Sequence, residues 1–214
     1  MQVVGLDLAG VEKRPSGFCV LNEKLEAKTF LVYIDKEILY WIEVFKPEVI
    51  SIDAPLALPK NRCCLKNSCS CKNKGHLREC DKALLKMGIK FFPLTLGPMR
   101  SLTLRGLKLK SSIEKKGFKV IETYPGAAQD LLGIPRKKAG IEPLRNSLIK
   151  LGIKGDINKK EISDHELDAI TCALVGKMYL EGEYLALGDP KEILMILPKP
   201  KNSEKEKNNI KQNK

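Results

Sequence analysis

The sequence predicts an α/β protein built on one mixed sheet with helices on its faces. Three observations carry this. Two short, almost continuous apolar runs, Val3 to Ala9 and Val49 to Ile52, suit strands buried on both faces. Strand-like segments follow one another closely at the start, and helices alternate with strands after them. The last long helical segment is apolar nearly all round, as a buried helix is.

The elements read as follows. Val3-Val4-Gly5-Leu6-Asp7-Leu8-Ala9 is the first strand and Phe18 to Leu21 the second. The Asn22-Glu23-Lys24 break leads into a third around Ala27 to Ile34, so the three form a meander. Asp35 is placed to cap a helix through Phe45, which Pro47 stops. Val49 to Ile52 is the fourth strand. A loop rich in Pro, Cys, Asn and Lys fills 55–75, and a helix covers His76 to Met87, ended by Gly88. A second, basic helix covers Met99 to Lys116. Phe118 to Thr123 is the fifth strand, and Tyr124-Pro125-Gly126 turns the chain into a short helix ending near Gly133. Pro143 to Leu151 is helical and closed by Gly152. The last long helix runs from Ser163 to Leu180, and strand-like pieces at Tyr184-Leu185 and Ile193 to Ile196 finish the body. This order is that of a ribonuclease-H-like fold: a mixed five-stranded sheet flanked by helices, with a Cys-rich loop inserted at 60–80. One such domain is expected over 1–198. Residues 199–214, with six lysines and two glutamates, are expected to be a disordered basic tail.

The 214 residues suit one domain that buries a core without disulfide staples. No apolar run reaches the roughly 18 residues that span a bilayer. The opening Met1-Gln2-Val3-Val4-Gly5 lacks the basic region of a signal peptide, so a soluble cytoplasmic protein without membrane contact is expected. The net charge of +12 admits a nucleic-acid partner, although part of it lies in the tail.

The chemistry points to carboxylates. Asp7 ends the first strand and Asp53 the fourth; if the two are parallel neighbours, both emerge at one end of the sheet, where α/β proteins bind ligands. Asp168 sits inside the apolar helix, where an unpaired charge costs several kcal/mol. Asp164 and His165 lie one turn earlier and share its face. Converging carboxylates take up protons unless a cation sits between them. Mg²⁺ (or Mn²⁺) at Asp7, Asp53 and Asp168 fits, being hard and oxygen-seeking. Two such ions roughly 3.5–4 Å apart drive in-line phosphodiester hydrolysis. Turn initiation would also explain Asp7 and Asp53, since Gly10 and Pro55 follow. Asp164 also suits the helix dipole, and His165 a solvated or capping role. Ser163 and Glu166 form S-x-x-E, which makes Glu166 a cap rather than a catalyst. Glu122 is a fourth catalytic candidate; it reaches the same site or pairs with a nearby lysine.

These residues together resemble a family of unknown biological role described as predicted nucleases of ribonuclease-H-like fold. The matching pieces are Gly5-Leu6-Asp7-Leu8-Ala9-Gly10, Ile52-Asp53-Ala54-Pro55-Leu56, Arg78-Glu79-Cys80-Asp81, Gly97-Pro98-Met99-Arg100 with Leu104-Arg105-Gly106, Val120 to Ala127, and Asp164-His165-Glu166-Leu167-Asp168-Ala169. The resemblance implies an acidic centre at Asp7, Asp53 and Asp168. The final helix is also similar to that of Holliday-junction resolvases, in which acidic or His residues precede a terminal Asp by three. Ribonuclease H proper has a glutamate on its first helix, and Asp35 to Phe45 offers no clear equivalent. Specificity for an RNA–DNA hybrid is therefore unsupported.

Five of the seven cysteines, Cys63, Cys64, Cys69, Cys71 and Cys80, fall in or beside the loop after Asp53, with His76 among them. Thiolate and imidazole donors suit a structural Zn²⁺, and six donors compete for four places. An iron–sulfur cluster and free thiols are the alternatives. Cys19 and Cys172 sit in apolar elements and are expected in the core. Arg100, Arg105, Lys108, Lys110, Lys115 and Lys116 concentrate on the basic helix, with Arg105, Lys108 and Lys115 as a stripe that follows a phosphate backbone or as a solvated face, and Arg100, Arg105 and Lys108 are the nucleic-acid-binding candidates. Aromatics make up 6% and none is spaced as a base-stacking platform, so contacts to backbone and shape are expected. The function expected is a divalent-metal-dependent nuclease. The alternative is a non-catalytic nucleic-acid-binding or assembly module with a zinc loop. A small-molecule phosphotransferase is disfavoured, because no G-x-x-x-x-G-K-[ST] loop is present. RNA, DNA, hybrid and junction substrates all remain open, as does a homodimer.

Overall fold

The computed structural model describes residues 1–200, so the expected tail lies, from residue 201 on, outside the described residues. Eight strands form one sheet: β1 (Gln2–Asp7), β2 (Ser16–Asn22), β3 (Glu26–Val32), β4 (Val49–Asp53), β5 (Val120–Thr123), β6 (Lys154–Gly155), β7 (Tyr184–Asp189) and β8 (Ile193–Pro198). Their order is β6-β3-β2-β1-β4-β5-β8-β7. The five strands read from the sequence make up its middle. The sheet is wider than expected because β6 adds a two-residue parallel pairing to β3, and the β7–β8 hairpin joins β5 through Glu122 and Met195. The fold class itself stands.

β1 is antiparallel to β2 and parallel to β4. Both β1 and β4 are buried on both faces, as their unbroken apolar runs require. On one face Val4, Leu6, Phe18, Ile50 and Ile52 pack with Ile38 and Ile42 of α1 (Asp35–Phe45). After α2 (Glu79–Lys86) comes α3 (Gly97–Lys115), which adds Leu109 and Ile113 to the same core. The other face takes α4 (Pro125–Leu132), α5 (Ile141–Lys150) and the closing α6 (Asp164–Leu180). α6 is buried from Glu166 to Gly176 and lies directly on the β1–β2 hairpin.

α3 and α5 each begin two residues earlier than read, at Gly97 and Ile141, and the starts of α1 and α2 differ for identifiable reasons. α1 begins with Asp35 as its first residue, not its cap, because the Asp35 carboxylate is engaged by Arg105 Nε at 2.8 Å. α2 begins at Glu79, three residues later than expected, since Asp81 accepts from the Arg78 backbone N–H at 2.8 Å and sets the helix start there.

Candidate active site at the strand ends

Asp7 and Asp53 are Cα partners in the parallel β1–β4 ladder. Register partners point to the same face, so the last residues of two central strands present their carboxylates side by side. α6 covers that face. Ser163 caps it as predicted: its Oγ accepts from the Glu166 N–H, and Glu166 Oε2 accepts from the Ser163 N–H at 3.0 Å. Glu166 Oε1 also accepts from Thr29 Oγ1 at 2.9 Å and Lys159 Nζ at 2.8 Å, which ties the helix start to β3. Glu166 is thus a structural carboxylate.

With α6 so placed, its first turns face Asp7. His165 Nδ1 and Asp7 Oδ2 are 2.6 Å apart. Asp168 is buried, and both its oxygens are engaged: Gln129 Nε2 donates to Oδ1 at 2.8 Å and Lys137 Nζ to Oδ2 at 2.8 Å. The same Lys137 Nζ is 3.6 Å from Asp164 Oδ2. Asp164 therefore joins the cluster at its rim.

The electrostatics agree with the geometry. Burial pushes the Asp53 carboxyl well above the usual carboxylate range, and Asp7 and Asp168 push it the same way. Burial, then Asp7, raises Asp168 against the opposing pull of Lys137. The hydrogen bond to Asp7 raises His165, which favours its imidazolium form. Burial works against the Lys137 charge, but Asp168 outweighs it and holds the ammonium protonated. This is a site of excess negative charge, short of cations.

Glu122 is not in this cluster. It is the register partner of Ile52, not Asp53, and so points to the opposite face. There it accepts from Arg78 Nη1 at 2.7 Å and from the Leu56 N–H at 2.7 Å. Arg78 also holds Asp81. The partner is an arginine rather than a lysine, and the buried triad anchors the chain that leaves β4. A cavity of about 420 Å³ opens between the acidic centre and this triad, lined among others by Phe91, Phe92, Tyr124, Arg136, Lys137 and Lys138.

Arg105 does not join a phosphate-following stripe. It is buried, and its guanidinium donates to Asp35 at 2.8 Å, Ala9 O at 2.7 Å and Tyr33 O at 2.6 Å. Arg100 donates to Thr95 O at 2.8 Å and also bonds Asn67, so it buttresses the cysteine loop. Lys108 is exposed on α3.

The cysteine loop sorts its own donors. Cys63, Cys64, Cys69 and Cys71 bring their Sγ atoms within 4.8 Å of one another, a group that could hold a metal ion. Cys63 and Cys69 are 3.5 Å apart and Cys64 and Cys71 3.7 Å. Among the described residues His76 and Cys80 lie outside this group. His76 Nδ1 pairs with Thr95 Oγ1, and Cys80 is buried at the start of α2. Cys19 and Cys172 are core residues, as expected.

Sequence reasoning missed Lys137 and Gln129. Gln129 left a signal, a polar residue at a buried position of α4. Lys137 left none, since Arg136-Lys137-Lys138 reads as an ordinary basic surface segment.

The chain belongs to the DUF429 family, described as a protein of unknown function, whose model matches residues 5–193. A search of curated proteins finds no match. Among solved structures the chain is similar to T. thermophilus RuvC in complex with a Holliday junction substrate. That alignment has 14% identity and a TM-score of 0.50, and covers 91% of this chain and 100% of that one. A second Thermus thermophilus RuvC structure aligns with 15% identity and a TM-score of 0.48, covering 92% and 100%. The first likeness shows the fold, which is ribonuclease-H-like. No helix among the described residues is long and apolar enough to cross a membrane.

Proposed function

We propose that this member of the DUF429 family is a divalent-metal-dependent nuclease that hydrolyses phosphodiester bonds, with residues 1–198 as one catalytic domain. The observation that carries the reading is the in-register pair Asp7 and Asp53, faced by Asp168 from α6. The donor set is all carboxylate oxygen and under-neutralised, which suits a hard cation. Asp7, Asp53 and Asp168 would hold Mg²⁺ or Mn²⁺. When bound, the ion supplies Lewis-acid stabilisation and an acidified water. His165 is oriented through Nδ1 by Asp7, which leaves Nε2 to hold or pass a proton at the leaving oxygen. Lys108, with Arg136 and Lys138 beside the cleft, would neutralise backbone phosphates. The solved RuvC complex makes a branched DNA junction the first substrate to try.

The test is cleavage of labelled single strands, duplexes, hybrids and junctions in Mg²⁺, Mn²⁺ or EDTA. Wild type is run beside Asp7→Asn and Asp168→Asn. Metal-dependent cutting lost in both variants is expected. No cutting anywhere, with salt-sensitive binding equal in all three proteins, would replace the nuclease with a binding module.

The four-cysteine group belongs to the same reading as a structural zinc site. Thiolates at about 2.3 Å around a tetrahedral Zn²⁺ lie about 3.8 Å apart, close to the separations seen. Free thiols suit a reducing cytoplasm. Elemental analysis of protein purified under reducing conditions should find one zinc per chain, falling near zero in Cys69→Ser. Iron with labile sulfide, or no metal, would refute the zinc assignment.

A further inference from the structure

The carboxylate oxygens of the centre are unequally engaged. Asp168 has none to spare, with Gln129 on Oδ1 and Lys137 on Oδ2. Asp7 has Oδ2 on His165. Among the described residues, no protein donor bonds Asp7 Oδ1 or either oxygen of Asp53. The free lone pairs therefore concentrate at the β1–β4 strand ends. The Asp168–Asp164 side already has a cation, the Lys137 ammonium, 2.8 Å from one carboxylate and 3.6 Å from the other.

We infer that Lys137 stands in place of a second metal ion, so that the centre takes one divalent cation, at Asp7 and Asp53. This rests on the metal-centre reading above and revises its ligand set: Asp7 and Asp53 hold the ion, and Asp168 holds Lys137 in its place. An ammonium seated on Asp168 satisfies that carboxylate and repels a divalent ion brought beside it. The backbone that carries it is held in place. The preceding Arg136 is tied by Nε to Asp130 at 2.8 Å and by Nη1 to the Tyr124 hydroxyl at 3.1 Å, and a 3₁₀ turn begins at Lys137 itself. The lysine also lines the cleft, from which its remaining N–H would meet a phosphate oxygen of a bound substrate. A point charge with three donors suits that task. Lys137 would then supply positive charge to a bound phosphate from the Asp168 side of the centre.

The test counts ions without substrate. The loss of free Mn²⁺ signal in electron paramagnetic resonance is titrated on the full-length, zinc-loaded protein. Wild type should bind one Mn²⁺ per chain, Lys137→Met two, and the charge-keeping Lys137→Arg one. Two ions in wild type, or one in a folded Lys137→Met, would overturn the assignment. Lys137→Arg holding two would do so as well, even if Lys137→Met failed to fold. The two proposals fail separately. Counts of one and two with no substrate cut would uphold Lys137 and remove the nuclease. Cutting with two ions in wild type would do the reverse.

Discussion

Asp53→Asn is expected to abolish metal-dependent cleavage and, in EDTA, to make the protein more stable. The two effects have one cause. The Asp53 carboxyl is held well above the usual range first by burial, then by Asp7 and Asp168. A raised value in the folded state means that the folded protein binds the proton more tightly than the unfolded chain does. Ionisation at neutral pH therefore costs stability, and the cost fades as pH falls through the raised value toward the unfolded value near ~3.9. Asparagine keeps the shape and removes the charge. The metal-free variant should gain on the order of 1 kcal/mol at pH 7. Wild type should gain stability from this group on mild acidification, and the variant should not. Cleavage should fall about a thousandfold, since charge stabilisation by a bound ion is worth several kcal/mol. Denaturant unfolding in EDTA at two pH values, beside the cleavage assay, reads both. A destabilised Asp53→Asn would mean that the strand-end carboxylates are not held in mutual repulsion.

Gly5→Ala should destabilise by about 3 kcal/mol or more, at or beyond the upper end of overpacking costs. A Cβ on residue 5 would lie 2.1 Å from the Ala169 carbonyl oxygen and 2.3 Å from the Ala173 nitrogen. These are helix backbone atoms, so relief requires α6 to lift off β1. That movement carries His165 and Asp168 away from Asp7, so cleavage should fall along with stability. Gly97→Ala is the control, because a Cβ there meets nothing within 4 Å. A Gly5→Ala protein within 1 kcal/mol of wild type by chemical denaturation would show that α6 does not sit this close. That margin is about what the loss of one CH₂ of burial costs.

The parts legible in the sequence were those set by short stretches of chain. The apolar runs ending in Asp7 and Asp53, the apolar girth around Asp168 and the Ser163–Glu166 cap each carry their signal within a few residues. What was not legible depends on partners far along the chain. Arg105 looks like a surface cation until Ala9 and Tyr33, 96 and 72 positions away, are seen to take its donors. Glu122 sits on strand β5 like a catalytic carboxylate, and only the β4–β5 register turns it to the other face. β6 is too short for any pattern to mark it. The six thiol and imidazole donors of the loop reduce to four only once the fold places His76 against Thr95.

The close seat of α6 on the hairpin also sets when the protein becomes complete during synthesis. β1, β2, β3 and β4 are made within the first 53 residues, so the strand-end pair Asp7 and Asp53 can form early. Their covering helix does not leave the ribosome until after residue 180, roughly ten seconds later at ordinary elongation rates. During that interval the face of β1 and β2 at Gly5 and Gly17, on which α6 later lies, is uncovered. His165, Asp168 and the capping Glu166 all arrive together on that one late helix. A chain that stops before residue 164 then carries Asp7 and Asp53 but neither His165 nor Asp168, so the carboxylate centre is completed only once α6 has been made.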